Sequence, residues 1–211
     1  MKALYSKKAI VIILIVLTAL FLIWYFVIRK QQKRRKIADL ALSEYELWGF
    51  GKTKEGSSVR QADLTKYWQA ANSKDYGAGA AWSAAFISWL FKTTGAKDAF
   101  PYATSHSTYI RKAVANRKAG IKKGLIGFKP EEYSPKVGDL VCYPRQSGVT
   151  YDSTGNYMSH CDLIVDVDKR NNKITTIGGN VSDSVSKTTY DIDARGRVIT
   201  PKVHAVLKNN I

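Results

Sequence analysis

The chain has 211 residues, 33 of them Lys or Arg against 17 Asp or Glu, for a formal charge of +16. That excess is unevenly placed: residues 1–36 hold nine basic residues and no acid, leaving 24 basic against 17 acidic residues and a net +7 for the remainder. A basic run beside an apolar segment suits anionic lipid headgroups, and without aromatic-basic interleaving or a nucleic-acid motif it argues against nucleic-acid binding. The two cysteines and three histidines supply no zinc motif, and neither a metal nor a cofactor is expected.

Residues 1–8 form a short basic N-terminus. From Ala9 to Ile28 follow twenty residues without a charge. At about 1.5 Å per residue they match the roughly 30 Å hydrocarbon core of a bilayer, with Trp24 and Tyr25 near one boundary. The run ends in the basic segment 29–36, not in a small-residue cleavage site, so the sequence predicts a retained anchor. Six basic residues follow the span and three precede it, which by charge alone would keep the globular part, 37–211, in the cytoplasm.

The predicted domain begins with helices: Ile37 to Phe50, Arg60 to Ala71, Trp82 to Gly95 and Ser105 to Arg117, each with apolar residues near helical spacing. Beyond Pro135 the period changes to two. Strands are predicted at Asp139 to Tyr143, His160 to Val167, Lys173 to Ile177, Ser184 to Tyr190 and Val198 to Leu207. The loop Gln146 to Met158 is placed beside a cleft. Helices followed by a strand meander give an α+β domain. Cys142 and Cys161 fall on adjacent antiparallel strands, where either a disulfide or two buried thiols fits.

Three segments carry the candidate chemistry: Trp82-Ser83-Ala84-Ala85-Phe86 at a helix start, Ser159-His160-Cys161-Asp162 at a strand start, and Gly178-Gly179-Asn180 at a strand end. A helix N-terminus stabilises developing negative charge, and a histidine can take a nucleophile's proton. Taken singly the residues have plainer readings: Ser83 as a helix cap, His160 as a hydrogen-bonded strand residue, and Asn180 as a turn former. Arg145 is a candidate carboxylate ligand or a surface ion-pair member. Asp162 is either a partner of His160 or a salt-bridge residue. His106, on the apolar stripe of its helix, reads as a buried structural residue with a cleft role as the alternative. Strand alternation puts His160 and Asp162 on the less apolar face, so both sheet faces must be covered if His160 is to meet Ser83.

In combination, these segments with GDLVCYPR at 138–145 and GGNVSDSV at 178–185 resemble the papain-like cell-wall hydrolases of the CHAP and NlpC type. Within them the sequence resembles an uncharacterised bacterial branch, over about residues 41–205. The resemblance implies a papain-like domain that hydrolyses amide bonds of peptidoglycan peptides from the outer side of the bacterial cytoplasmic membrane. It implies Ser83 at the position of the family's cysteine, His160 as base, and Asn180 at or next to the orienting residue. Serine for cysteine leaves two outcomes open. Either a Ser–His–Asn hydrolase operates, or an inactive module binds cell-wall peptide or an envelope partner, because a hydroxyl is far less acidic than a thiol.

Overall fold

The computed structural model describes residues 7–211. Its first element, α1 (Lys7–Leu47), is one helix of 41 residues, so the apolar span, the basic segment and the first helix of the domain form a single rod. Side chains from Ile10 to Val27 are exposed along it, and the helix is long and apolar enough to cross a membrane. From Arg34 onward one stripe turns inward: Arg34, Ile37, Ala38, Ala41, Glu44 and Trp48 are buried, at the spacing of a single helical face. The domain therefore starts within the basic segment and not after it. Nothing at 29–36 interrupts the helix, because Arg, Lys and Gln are all good helix formers.

Arg34 explains the early start. Its guanidinium pairs with the fully buried Asp139 at 2.6 Å and also donates to the carbonyls of Val137 and Asn209. Asp139 additionally accepts from the Asn209 and Lys136 N–H groups and from the Tyr133 hydroxyl, so the buried pair is surrounded by donors. Gly138, at φ +85°, lets the backbone approach: a Cβ there would lie 3.1–3.2 Å from the Arg34 backbone.

The remaining helices are α2 (Gln61–Ala70), α3 (Ser83–Thr93) and α4 (His106–Lys118). Six strands follow: β1 (Gly124–Phe128), β2 (Leu140–Pro144), β3 (Ser159–Asp168), β4 (Lys173–Gly178), β5 (Ser186–Asp191) and β6 (Ala205–Asn210). They pair antiparallel throughout in the order β1-β6-β2-β3-β4-β5. The domain is α+β, as its periodicity predicts. Strand β1 was not predicted, because Gly124-Leu125-Ile126-Gly127-Phe128 alternates poorly and carries two glycines. Gly127 is there because α4 lies against it: a Cβ would come within 2.8 Å of the Val114 nitrogen. The predicted strand from Val198 is broken by a turn at Pro201-Lys202, and regular pairing resumes only at Ala205.

The sheet has two apolar faces. Leu140, Cys142, Cys161, Leu163, Ile177 and Leu207 pack under the helices. Val141, Ile164, Ile174, Tyr190 and Val206 form the other face, covered by Ile192, Val198 and Val203 from the segment before β6. Both faces are thus closed, the condition for burying His160. Cys142 and Cys161 lie directly opposite in the β2–β3 register and form a disulfide beneath the helices.

Candidate active site

Ser83 and His106 are the first residues of α3 and α4, so the two helix N-termini converge. Ser83 is placed by the residue before it. The Trp82 indole stacks on Trp48 and Tyr67, with ring centroids 5.1 and 5.6 Å away, and donates its N–H to Glu55. Ser88, one turn further along α3, bonds the carbonyl and the N–H of Ala103, tying α3 to the segment that leads into α4.

The Ser83 hydroxyl does not cap its helix. It lies 2.7 Å from His106 Nε2, while His106 Nδ1 lies 2.9 Å from the Tyr109 hydroxyl. Tyr109 in turn donates to the Ala84 carbonyl at 3.2 Å. With that hydroxyl hydrogen committed to a carbonyl, Nδ1 of His106 is the donor to Tyr109. Nε2 is then left to accept from Ser83. Burial, then the His160 ring and the Arg145 guanidinium, hold His106 well below the usual imidazole range. The ring is neutral at pH 7, which is the form that can take a proton. Burial likewise keeps the Tyr109 phenol protonated.

His160 is also fully buried, but its nitrogens are engaged elsewhere. Nε2 bonds Asp162 Oδ1 at 2.7 Å and Nδ1 accepts from Arg145 at 3.0 Å, so the proton sits on Nε2. The Tyr190 hydroxyl donates to the other oxygen of Asp162 at 2.7 Å. Burial alone would raise the Asp162 carboxyl. Electrostatic attraction to His160, the His160 and Tyr190 hydrogen bonds and the charge of Lys202 outweigh it and hold the group below its usual value. The rings of His160 and His106 are 5.1 Å apart between centroids.

The expected trio is therefore assembled differently. Ser83 meets His106, which the periodicity assigned to structure, and His160 neighbours that pair without bonding to Ser83. The residue that orients His160 is Asp162. Asn180 does not reach the imidazole; it sits at φ 55° and donates to the Ala80 carbonyl at 3.2 Å. The two glycines before it have the closer connection to the site. A Cβ on Gly178 would lie 1.9 Å from Asp162 Oδ1 and 3.0 Å from His160 Nε2, and one on Gly179 would lie 2.5 Å from Phe86 Cβ. Gly178 makes room for the His160–Asp162 pair, and Gly179 lets α3 settle on the sheet. His106 had one usable signal, its place immediately after Ser105 at a helix start, equivalent to that of Ser83.

Ser83 and His106 open onto a cleft of about 410 Å³, also lined by Arg145, Gln146, Asn156 and Ser159. The predicted loop supplies one wall, held by Arg111 to the Thr154 carbonyl and the Asn156 side chain. None of the lining residues is acidic, and the leading N–H groups of a helix such as α3 have no intrahelical partner. The cleft offers a hydroxyl bonded to a neutral imidazole, donors for a developing oxyanion, and one formal positive charge.

A solved structure described as the crystal structure of Ly7917 with the hydrolyzing product of MDP is similar in part. It is 16% identical with a TM-score of 0.29, over 45% of this chain and 34% of that one. No curated protein matches the sequence. A family model does match, over residues 42–210, which takes in every element from the end of α1 to β6. The chain belongs to the DUF2272 family of uncharacterised proteins conserved in bacteria.

Proposed function

We propose that the protein is a membrane-anchored amide hydrolase of cell-wall peptides, with Ser83 as nucleophile and His106 as general base. The observation that carries this is the 2.7 Å contact between the Ser83 hydroxyl and His106 Nε2 at the mouth of the cleft. In the reaction Ser83 Oγ bonds to the amide carbonyl carbon while its proton passes to Nε2. First-turn N–H groups of α3 receive the oxyanion. His106 then gives the proton to the leaving nitrogen as the C–N bond breaks, and water releases the acyl group from Ser83. His160, held by Asp162, which in turn accepts from Tyr190, packs beside His106 with ring centroids 5.1 Å apart. The substrate class comes from the resemblance to CHAP- and NlpC-type hydrolases.

The cysteines bear on the compartment. A Cys142–Cys161 disulfide belongs to an oxidising environment, which supports a domain on the outer side of the cytoplasmic membrane, against the count of flanking charges.

Incubating the full chain with purified sacculi and analysing released fragments by mass spectrometry tests the reading. Ser83→Ala should reduce release by about 10³-fold or more while the domain stays folded. Undiminished release by that variant would remove Ser83 as the nucleophile. One observation favours a second reading, a cleft that binds without turnover: the partner of His106 Nδ1 is a phenol and not a carboxylate, so a buried imidazolium is poorly stabilised. That reading expects no release by the natural chain and a gain on Ser83→Cys, because a thiol ionises far more readily.

A further inference from the structure

Arg145 is the one formal charge on the cleft wall, makes no ion pair among the described residues, and spends a guanidinium N–H on a neutral imidazole. Its surroundings add to the positive potential. The N-termini of α3 (11 residues) and α4 (13 residues) both point into the same space. The Tyr157 and Ser159 hydroxyls on the same wall have no hydrogen-bond partner. A positively charged cleft with unused donors suits an anion.

We infer that the ligand of this cleft carries a free carboxylate on the residue flanking the amide at Ser83, and that Arg145 binds it. The planar guanidinium fork of Arg145 suits bidentate pairing with the two oxygens of a carboxylate. A carboxylate is a stronger acceptor for the guanidinium than a neutral imidazole. On binding it draws Arg145 away from His160 Nδ1, so an occupied cleft has a free imidazole nitrogen beside His106. Arg145 is exposed and has room for that movement. The inference rests on the hydrolase reading for the position of the amide, but the preference for a carboxylate can be measured without turnover.

The experiment uses the full chain in detergent micelles and two probes, acetyl-Ala-γ-Glu-Lys-amide with its free α-carboxylate and the same peptide with an α-carboxamide. The natural chain should prefer the carboxylate by roughly 10–100-fold in kcat/KM, mainly through KM, the range of a hydrogen bond to a charged group. Arg145→Gln should bring the ratio close to one and Arg145→Lys should restore part of it. Equal kcat/KM for the two probes, or a preference that survives Arg145→Gln, overturns the inference. If neither probe is cleaved, titration calorimetry with Ser83→Ala and with Ser83→Ala/Arg145→Gln decides. Arg145-dependent preference for the carboxylate then upholds the inference while ending the hydrolase reading, and failure to bind either probe ends both.

Discussion

At the scale of single residues, the site is set by two imidazoles in different electrical surroundings. His106 is neutral when folded because burial opposes its charge, whereas the unfolded chain takes up a proton near pH 6.5. Its contribution to stability is thus complete above about pH 6.5 and declines as the pH falls from there toward the lowered folded value. Thermal melts of the natural chain should lose midpoint temperature between pH 7 and pH 5, and His106→Gln should flatten that slope. Asp162 has the opposite kind of shift, a depressed carboxyl, so its share is lost only at pH values below the ordinary carboxylate range near 4. Catalysis by His106 should persist well below pH 6.5, and His106→Gln should lower kcat about 10²–10⁴-fold. Gly178→Ala places a methyl group on Asp162 and should cost at least about 1–3 kcal/mol in denaturant titrations. The sequence shows Ser83, His160 and the Gly-Gly-Asn turn readily. It does not show that His106 and Ser83 face each other, because periodicity fixes which side of a helix a residue occupies and says nothing of what another helix presents to it.

At the scale of elements, two connections hold the site's supports in register. The Cys142–Cys161 bond closes 19 residues of chain that include the whole cleft loop. Replacing both cysteines by serine should cost about 2–4 kcal/mol, read from the urea midpoint, and loosen that loop. The Arg34–Asp139 pair joins α1 to the turn before β2. Arg34→Met leaves a buried carboxylate without its cation and should cost about 3–5 kcal/mol. Most elements could be read from period and turn residues alone, since α2, α3 and α4 keep near-helical spacing of apolar residues and β2, β3, β4 and β5 fall where the period changes to two. Strand β1 could not, because its glycines serve α4. The start of the domain at Arg34 could not either, because a buried arginine reads in sequence as one more juxtamembrane charge.

At the scale of the whole molecule, one helix carries both the apolar run and a wall of the domain. A reporter that matures only outside the cytoplasm, fused after Ile211, should be active if the disulfide and not the flanking charge sets the orientation; an inactive reporter would return the domain to the cytoplasm. The surplus of +9 over residues 1–36 is also less available to lipid than its count implies. Arg34 is spent on Asp139, and Lys30 is turned toward the Asn210 side chain at 2.7 Å.

On the proposed reading, the unbroken α1 also sets how far the domain stands from the bilayer. Arg34 grips the domain six residues past Ile28, which at 1.5 Å per residue is about 9 Å beyond the apolar run. A stiff post of that height has no slack, so the end of the domain where Gly95 and Ile211 lie beside Lys33 would ride at a fixed height over the lipid. A flexible insertion near Gln31 would give the domain the freedom that the continuous helix denies it.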